Sequence, residues 1–223
     1  MPEGRKGFFA RHLDAGEIFG EILFGLIMAL TFTLGAGISV TEGPGAIRTL
    51  LVTALGCNLA WGIIDGAMYV MGALLERGRR IRMLLSLQQA TDPAAALAAV
   101  ARELDPVLER VTTAEERAKL YRGILTMASR VEPERARITR EDLAGAVASG
   151  LLVILTAFPA AIPFMVMEDH HLALRASNAF LVAMLFFIGF FWARFTGVNR
   201  WRAGLLMMLS GLALVKIAML LGG

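Results

Sequence analysis

The chain has 223 residues, 57% of them hydrophobic and 18% charged, with a mean hydropathy of +0.63. Long apolar segments produce this profile, which excludes an ordinary soluble globular domain. The formal charge of +3 and the pI near 9.5 follow from where Lys and Arg lie beside those segments, and point to anionic lipid heads and not to nucleic acid.

Five segments have the length and apolarity of membrane spans: 17–40, 46–75, 143–167, 177–195 and 203–221. The expected fold is an all-α membrane protein of five transmembrane helices, with a small cytoplasmic helical domain between helices two and three. It divides into an N-terminal cytoplasmic segment (1–16), a transmembrane hairpin (17–75), the cytoplasmic domain (76–142) and spans three to five (143–223). In the basic N-terminal segment His12 and Asp14 read as solvated or interfacial. The first span opens with Glu17 and Glu21 and has no cleavage site after a short apolar core, so it is not read as a signal peptide.

In the first span Glu21, Gly25, Ala29, Thr33 and Gly37 fall at successive i+4 positions, after the GxxxG pair Gly16 and Gly20. Such a small-residue stripe lets helices approach closely, and suggests a homodimer seam through span one. A turn at Gly43-Pro44-Gly45 makes spans one and two antiparallel neighbours.

The second span carries Asn58, Trp61, Asp65, Met68 and Tyr69 at helical spacing. A carboxylate at that depth costs a few kcal/mol and should face protein or water. Counted at about 1.5 Å per residue from Glu17 and Leu75, Met28 and Asp65 lie level, roughly 16 and 15 Å in, with Met68 and Glu21 shallower and Asn58 deeper. Candidate metal- or proton-binding residues are therefore Asp65, Glu21, Met28, Met68, Asn58 and Glu17. Cys57 is alone, which leaves no disulfide frame and no CxxC site; it reads as a small buried residue, with a soft ligand as the alternative.

Between spans two and three, where span two is free to run on, Asp92-Pro93 signals one helix and Thr113-Ala114-Glu115-Glu116 a capping box for another. Pro106 is expected to interrupt the first and Glu132-Pro133-Glu134 to end the second, giving three short helices. Span three, capped by Thr139 to Asp142, contains Pro159 and Pro163, which free backbone carbonyls for neighbouring helices or a cavity. Glu168-Asp169-His170-His171 reads as a solvated loop. Lys216 in span five is expected to snorkel outward, with an internal ion pair as the alternative.

Of 22 Lys and Arg, 19 fall in the N-terminal segment, in 76–142 and between spans four and five. The positive-inside rule then puts the N-terminus in the cytoplasm and, after five spans, the C-terminus outside. Walker A, GxGxxG, HExxH and GxSxG patterns are absent from the sequence, so no enzymatic class is supported.

The layout of two spans, a cytoplasmic helical domain and three spans resembles the vacuolar iron transporter family. So do Glu21-Ile22-Leu23-Phe24-Gly25-Leu26, the double-proline run Leu155 to Pro163, and Arg194-Phe195-Thr196-Gly197 leading into Trp201-Arg202-Ala203-Gly204. The resemblance implies a homodimeric exchanger of ferrous or related divalent metal for protons, in a bacterial inner membrane, with the metal as substrate and no resident cofactor. The family's Asn-Asp-Gly after Phe-Gly-Leu is here Ile27-Met28-Ala29, and its glutamate before tyrosine is here Met68. Its acidic cytoplasmic domain is reduced to Glu103, Glu109, Glu115 and Glu116, among 11 acids and 13 bases in 76–142. Methionine is a softer donor than ferrous ion prefers, so a mixed acid–thioether site and a proton-carrying carboxylate pair both stand. So do a non-transporting membrane module with a docking or regulatory domain, and a proton or small-cation channel along a dimer axis.

Overall fold

A computed structural model describes residues 7–39, 45–90 and 92–221, with the side chains of 36–39 and 46–47 excepted. The expected turn at Gly43-Pro44 and the basic residues Arg5 and Lys6 lie outside the described residues. The chain forms helices α1 (Phe8–His12), α2 (Ala15–Ser39), α3 (Ala46–Gln89), α4 (Pro93–Leu108), α5 (Ala114–Ala128), α6 (Arg140–Leu155), α7 (Phe158–Val166), α8 (His170–Thr196) and α9 (Arg200–Leu220). No strand occurs among the described residues. Among the described residues five stretches are long and apolar enough to span a membrane: α2, α3, α6 with α7, α8 and α9.

The helix ends follow their local chemistry. Asp92 accepts from Ala94 N–H at 2.8 Å ahead of Pro93, and Thr113 with Glu116, and Thr139 with Asp142, form reciprocal capping boxes. Asp169 accepts from the N–H groups of His171 and Leu172, so α8 begins at His170, seven residues before the apolar run suggested. The expected solvated loop is thus partly the exposed first turn of a helix. Gly197, in the left-handed region at φ 71°, closes α8.

The chain divides into two compact units, one of Met1–Val70 with Thr139–Gly223 and one of Met71–Ile138. The second unit is simpler than expected. It holds the continuation of α3 and two separate helices, α4 and α5; residues 129–139 are non-helical. Pro106 does not break α4, which runs two residues beyond it, because a proline that close to a C-terminus removes only one of the last hydrogen bonds. Tyr121 Oη donates to Asp105 at 2.6 Å, Arg117 pairs with the same carboxylate at 3.3 Å, and Gln88 donates to the carbonyls of Ala128 and Val131.

In the first unit Leu26, Ala29, Leu30, Ala160, Leu181, Leu185 and Val215 form the core among α2, α7, α8 and α9. Small residues set the helix spacing: a Cβ on Gly189 would meet Ala203 O at 2.5 Å, and one on Gly211 would meet Leu185 at 2.8 Å. Many outward side chains are large and apolar, among them Val52, Ile63, Leu206 and Leu209, as a lipid-facing surface requires.

Candidate functional site

The double proline determines the local geometry around the conspicuous polar residues. Pro159 has no N–H, and the chain turns at Thr156 and Ala157 between α6 and α7. Ala157 N–H bonds Ile154 O, which releases Val153 O from the regular helical pattern. That carbonyl is taken up twice, by Thr156 Oγ1 at 2.7 Å and by Asn58 Nδ2 of α3 at 3.0 Å. Asn58 Nδ2 also reaches Gly25 O of α2 at 3.3 Å. One fully buried amide thus ties three helices at the break, while its Oδ1 has no partner among the described residues. Within the first turn of α7, Ser177 Oγ of α8 donates to Ala160 O at 2.8 Å. Neighbouring helices therefore take up carbonyls at both ends of the kinked stretch.

The same α6 carries a run of small residues from Ala144 to Gly150, and this run seats two helices. Toward α3, Gly150 lies against Gly62, Ala146 against Gly66 and Gly145 against the Tyr69 ring. Toward α2, Ser149 Oγ donates to Glu21 Oε1 at 2.7 Å. Because Ser149 lies between the α6 positions that touch Gly62 and Gly66, Glu21 is brought to the level of Asp65, and the two acids are within Coulombic reach. Asp65 is half-buried, and its Oδ2 is shielded from solvent with no hydrogen-bond partner among the described residues.

This register corrects the depth comparison. Met28 lies beside Cys57, with the thiol 3.8 Å from its Sδ, and Phe24 packs on Trp61 at 5.5 Å between centroids. Met28 is thus about two turns of α3 away from Asp65, and it is Glu21 that matches the aspartate. α3 runs on past Leu75 to Gln89, so the two helices share no common end from which depth can be counted. Met68 is 59% exposed, whereas Asn58 is fully buried. Glu17 exchanges N–H bonds with Asp14, each 2.8 Å, and stays within Coulombic reach of Glu21.

The small-residue stripe of α2 serves the close helix approach expected of it, within the chain. A Cβ on Gly25 would strike Thr156 Oγ1, and Ala29 and Thr33 are fully buried, so this stripe receives the chain's own helices. Gly20 and Phe24, in contrast, face outward.

His12 is not solvated. Its side chain is 12% exposed and Nδ1 lies 2.7 Å from Glu141, while Tyr69 Oη donates to its carbonyl at 3.1 Å. The short α1 is held in this way against α6, with Leu13 packed on Ala148 and Leu152. Ser149, Thr156 and His12 were not among the sequence candidates. The first two had a visible signal in the small-residue run and in the threonine just ahead of Pro159.

In the second unit Glu103 and Glu109 are exposed, Glu115 pairs with Lys119 at 2.9 Å and Glu116 closes the cap of α5. Among the described residues no three His, Cys, Asp or Glu side chains converge as a metal-ion shell.

Compared with known families, residues 82–223, more than half of the chain, match the model of the VIT family. The matched stretch begins after the hairpin segment that carries Glu21 and Asp65. No curated protein matches the chain.

Proposed function

The chain belongs to the VIT family and so is a membrane protein of metal-ion transport, and from that premise we propose an exchange of divalent transition metal, ferrous or manganous in type, for protons at Glu21 and Asp65. The observation that carries this reading is the level pairing of the two acids on spanning helices, with one Asp65 oxygen shielded and unpartnered. Two carboxylates within Coulombic reach repel until a cation or proton offsets their charge, so metal and proton compete for one place. Ser149 orients Glu21, and Asn58 with Gly62 and Gly66 fixes the backbone from which Asp65 projects. Two carboxylates alone under-fill a transition-metal shell, and a second copy docking on the outward side of α2, at Gly20 and Phe24, would double the donors. Met28 with Cys57 then forms a softer station about two turns away along the same hairpin. The N-terminus is cytoplasmic and the C-terminus outside in this reading, which has no enzymatic step.

The test is metal-driven flux in proteoliposomes, with ferrous or manganous ion as cargo and internal pH recorded together. Wild-type protein is expected to move metal and counter-move protons, and Asp65→Asn and Glu21→Gln to abolish both. Flux untouched by either change refutes the site. A metal-independent proton leak lost in Glu21→Gln would instead favour a channel. Lowered thermal stability in Asp65→Asn, with no flux in the wild type, would favour a non-transporting module whose second unit is a docking domain.

A further inference from the structure

Where α8 begins and α9 finishes, a cavity of about 500 Å³ opens between α2, α8 and α9. His171 and Arg175 of α8, Lys216 of α9 and the amide of Asn178 line it, and no Asp or Glu does. Neither Arg175 nor Lys216 has an ion-pair partner among the described residues. Asn178 likewise makes no hydrogen bond there, and its Oδ1 is shielded from solvent. The nearest acid in sequence, Asp169, is engaged by two backbone N–H groups, which hold its carboxyl below the ordinary 3.8.

Both basic residues are exposed, and both line the same cavity. Sequence counting assigns 19 of the 22 Lys and Arg to the other face of the membrane, yet two of the remaining three line one cavity. Arg175 is five residues from the start of α8 and Lys216 four from the last residue of α9, so both lie within about 8 Å of a helix end. From that depth a long basic side chain can extend to the lipid headgroups. Arg175 offers a planar fork suited to two phosphate oxygens and Lys216 a mobile point charge. The remaining walls, Leu34, Leu174 and Val215 among them, are apolar.

We propose that this cavity binds a phosphate group between Arg175 and Lys216, supplied in the membrane by the headgroup of an anionic phospholipid. The inference is independent of whether Glu21 and Asp65 carry metal.

The full-length protein in a neutral detergent is titrated with dioctanoyl phosphatidylglycerol, dioctanoyl phosphatidylcholine and inorganic phosphate, with binding read by the rise in thermal unfolding midpoint. Phosphatidylglycerol is expected to bind more tightly than phosphatidylcholine, with Arg175→Gln and Lys216→Gln each weakening it about fivefold. Lys216→Arg should retain binding, which separates loss of charge from loss of fold, and Arg202→Gln, the same charge removed from the first turn of α9, should change nothing. Inorganic phosphate displacing phosphatidylglycerol from the wild type but not acting on the variants keeps the site and identifies free phosphate as an alternative source. Equal binding of phosphatidylglycerol by wild type and the Arg175→Gln/Lys216→Gln double variant, or equal binding of the two lipids by the wild type, overturns the proposal.

Discussion

Gly62→Ala is the most direct test of the packing that positions the site. A Cβ there would meet Gly150 O at 2.6 Å and Ile154 Cγ1 at 2.8 Å. The first obstacle is backbone, so α3 must retreat from α6 by about 0.8 Å to restore ordinary contact. Asn58 lies one turn away, and that retreat stretches its 3.0 Å bond to Val153 O to nearly 4 Å, beyond hydrogen-bond length. Overpacking costs about 1–3 kcal/mol and the lost interhelical bond about 0.6 kcal/mol, against about 1 kcal/mol gained from alanine's helix propensity. The net is a loss of about 1–3 kcal/mol. Gly56→Ala on the same helix meets nothing within 4 Å and supplies the control, neutral or stabilising by up to about 1 kcal/mol. Unfolding of both variants by titration with SDS, followed by far-ultraviolet circular dichroism, measures the difference. Equal stability of Gly62→Ala and Gly56→Ala would mean that α3 and α6 do not meet at this distance, and the assigned level of Asp65 would fall with it.

Two further outcomes follow from the hydrogen bonds. Asn58→Leu loses two interhelical bonds of about 0.6 kcal/mol each but removes a buried Oδ1 without a partner, a relief of about 1–3 kcal/mol, so it should lie within about 1–2 kcal/mol of wild type in the same assay. Asn58→Asp, which sets a carboxylate against two carbonyl oxygens, should cost about 3 kcal/mol or more, and equal losses in the two variants would mean that Oδ1 has a partner after all. In the second unit, hydrogen bonds from the Thr113 backbone and hydroxyl hold the Glu116 carboxyl below its ordinary 4.5. A lowered folded value stabilises above the unfolded one, so the cap is intact above about pH 4.5 and is lost as the pH falls through the folded value. A carboxyl NMR titration of the full chain should place the Thr113→Ala midpoint closer to 4.5 than the wild type's; an unmoved midpoint would show that the hydroxyl contributes nothing.

The sequence by itself determined the elements whose causes are local. Apolar runs longer than a bilayer's width defined five spans, and Asp92-Pro93, Thr113-Glu116 and Thr139-Asp142 started their helices where short-range hydrogen bonding requires. Proline chemistry announced that carbonyls near Pro159 would need outside donors, and helical spacing put Asn58 and Asp65 on one stretch. Only the tertiary structure decided which donors arrive and which acids meet. Asn58 reaches Val153, Ser149 reaches Glu21, and Glu21, not Met28, stands level with Asp65. Register between helices is set by close contacts at Gly62, Gly66, Gly145 and Gly150; the i+4 spacing of Gly62 and Gly66 announces a close neighbour, but that neighbour is far away in sequence and not named by it. For the same reason the stripe at Gly25 and Ala29 announced a close helix contact but not whose helix makes it, and nothing near Lys216 in sequence announced that α8 brings Arg175 to the same cavity. Burying small residues is equally favourable against either neighbour, and only the packed bundle shows which one is there.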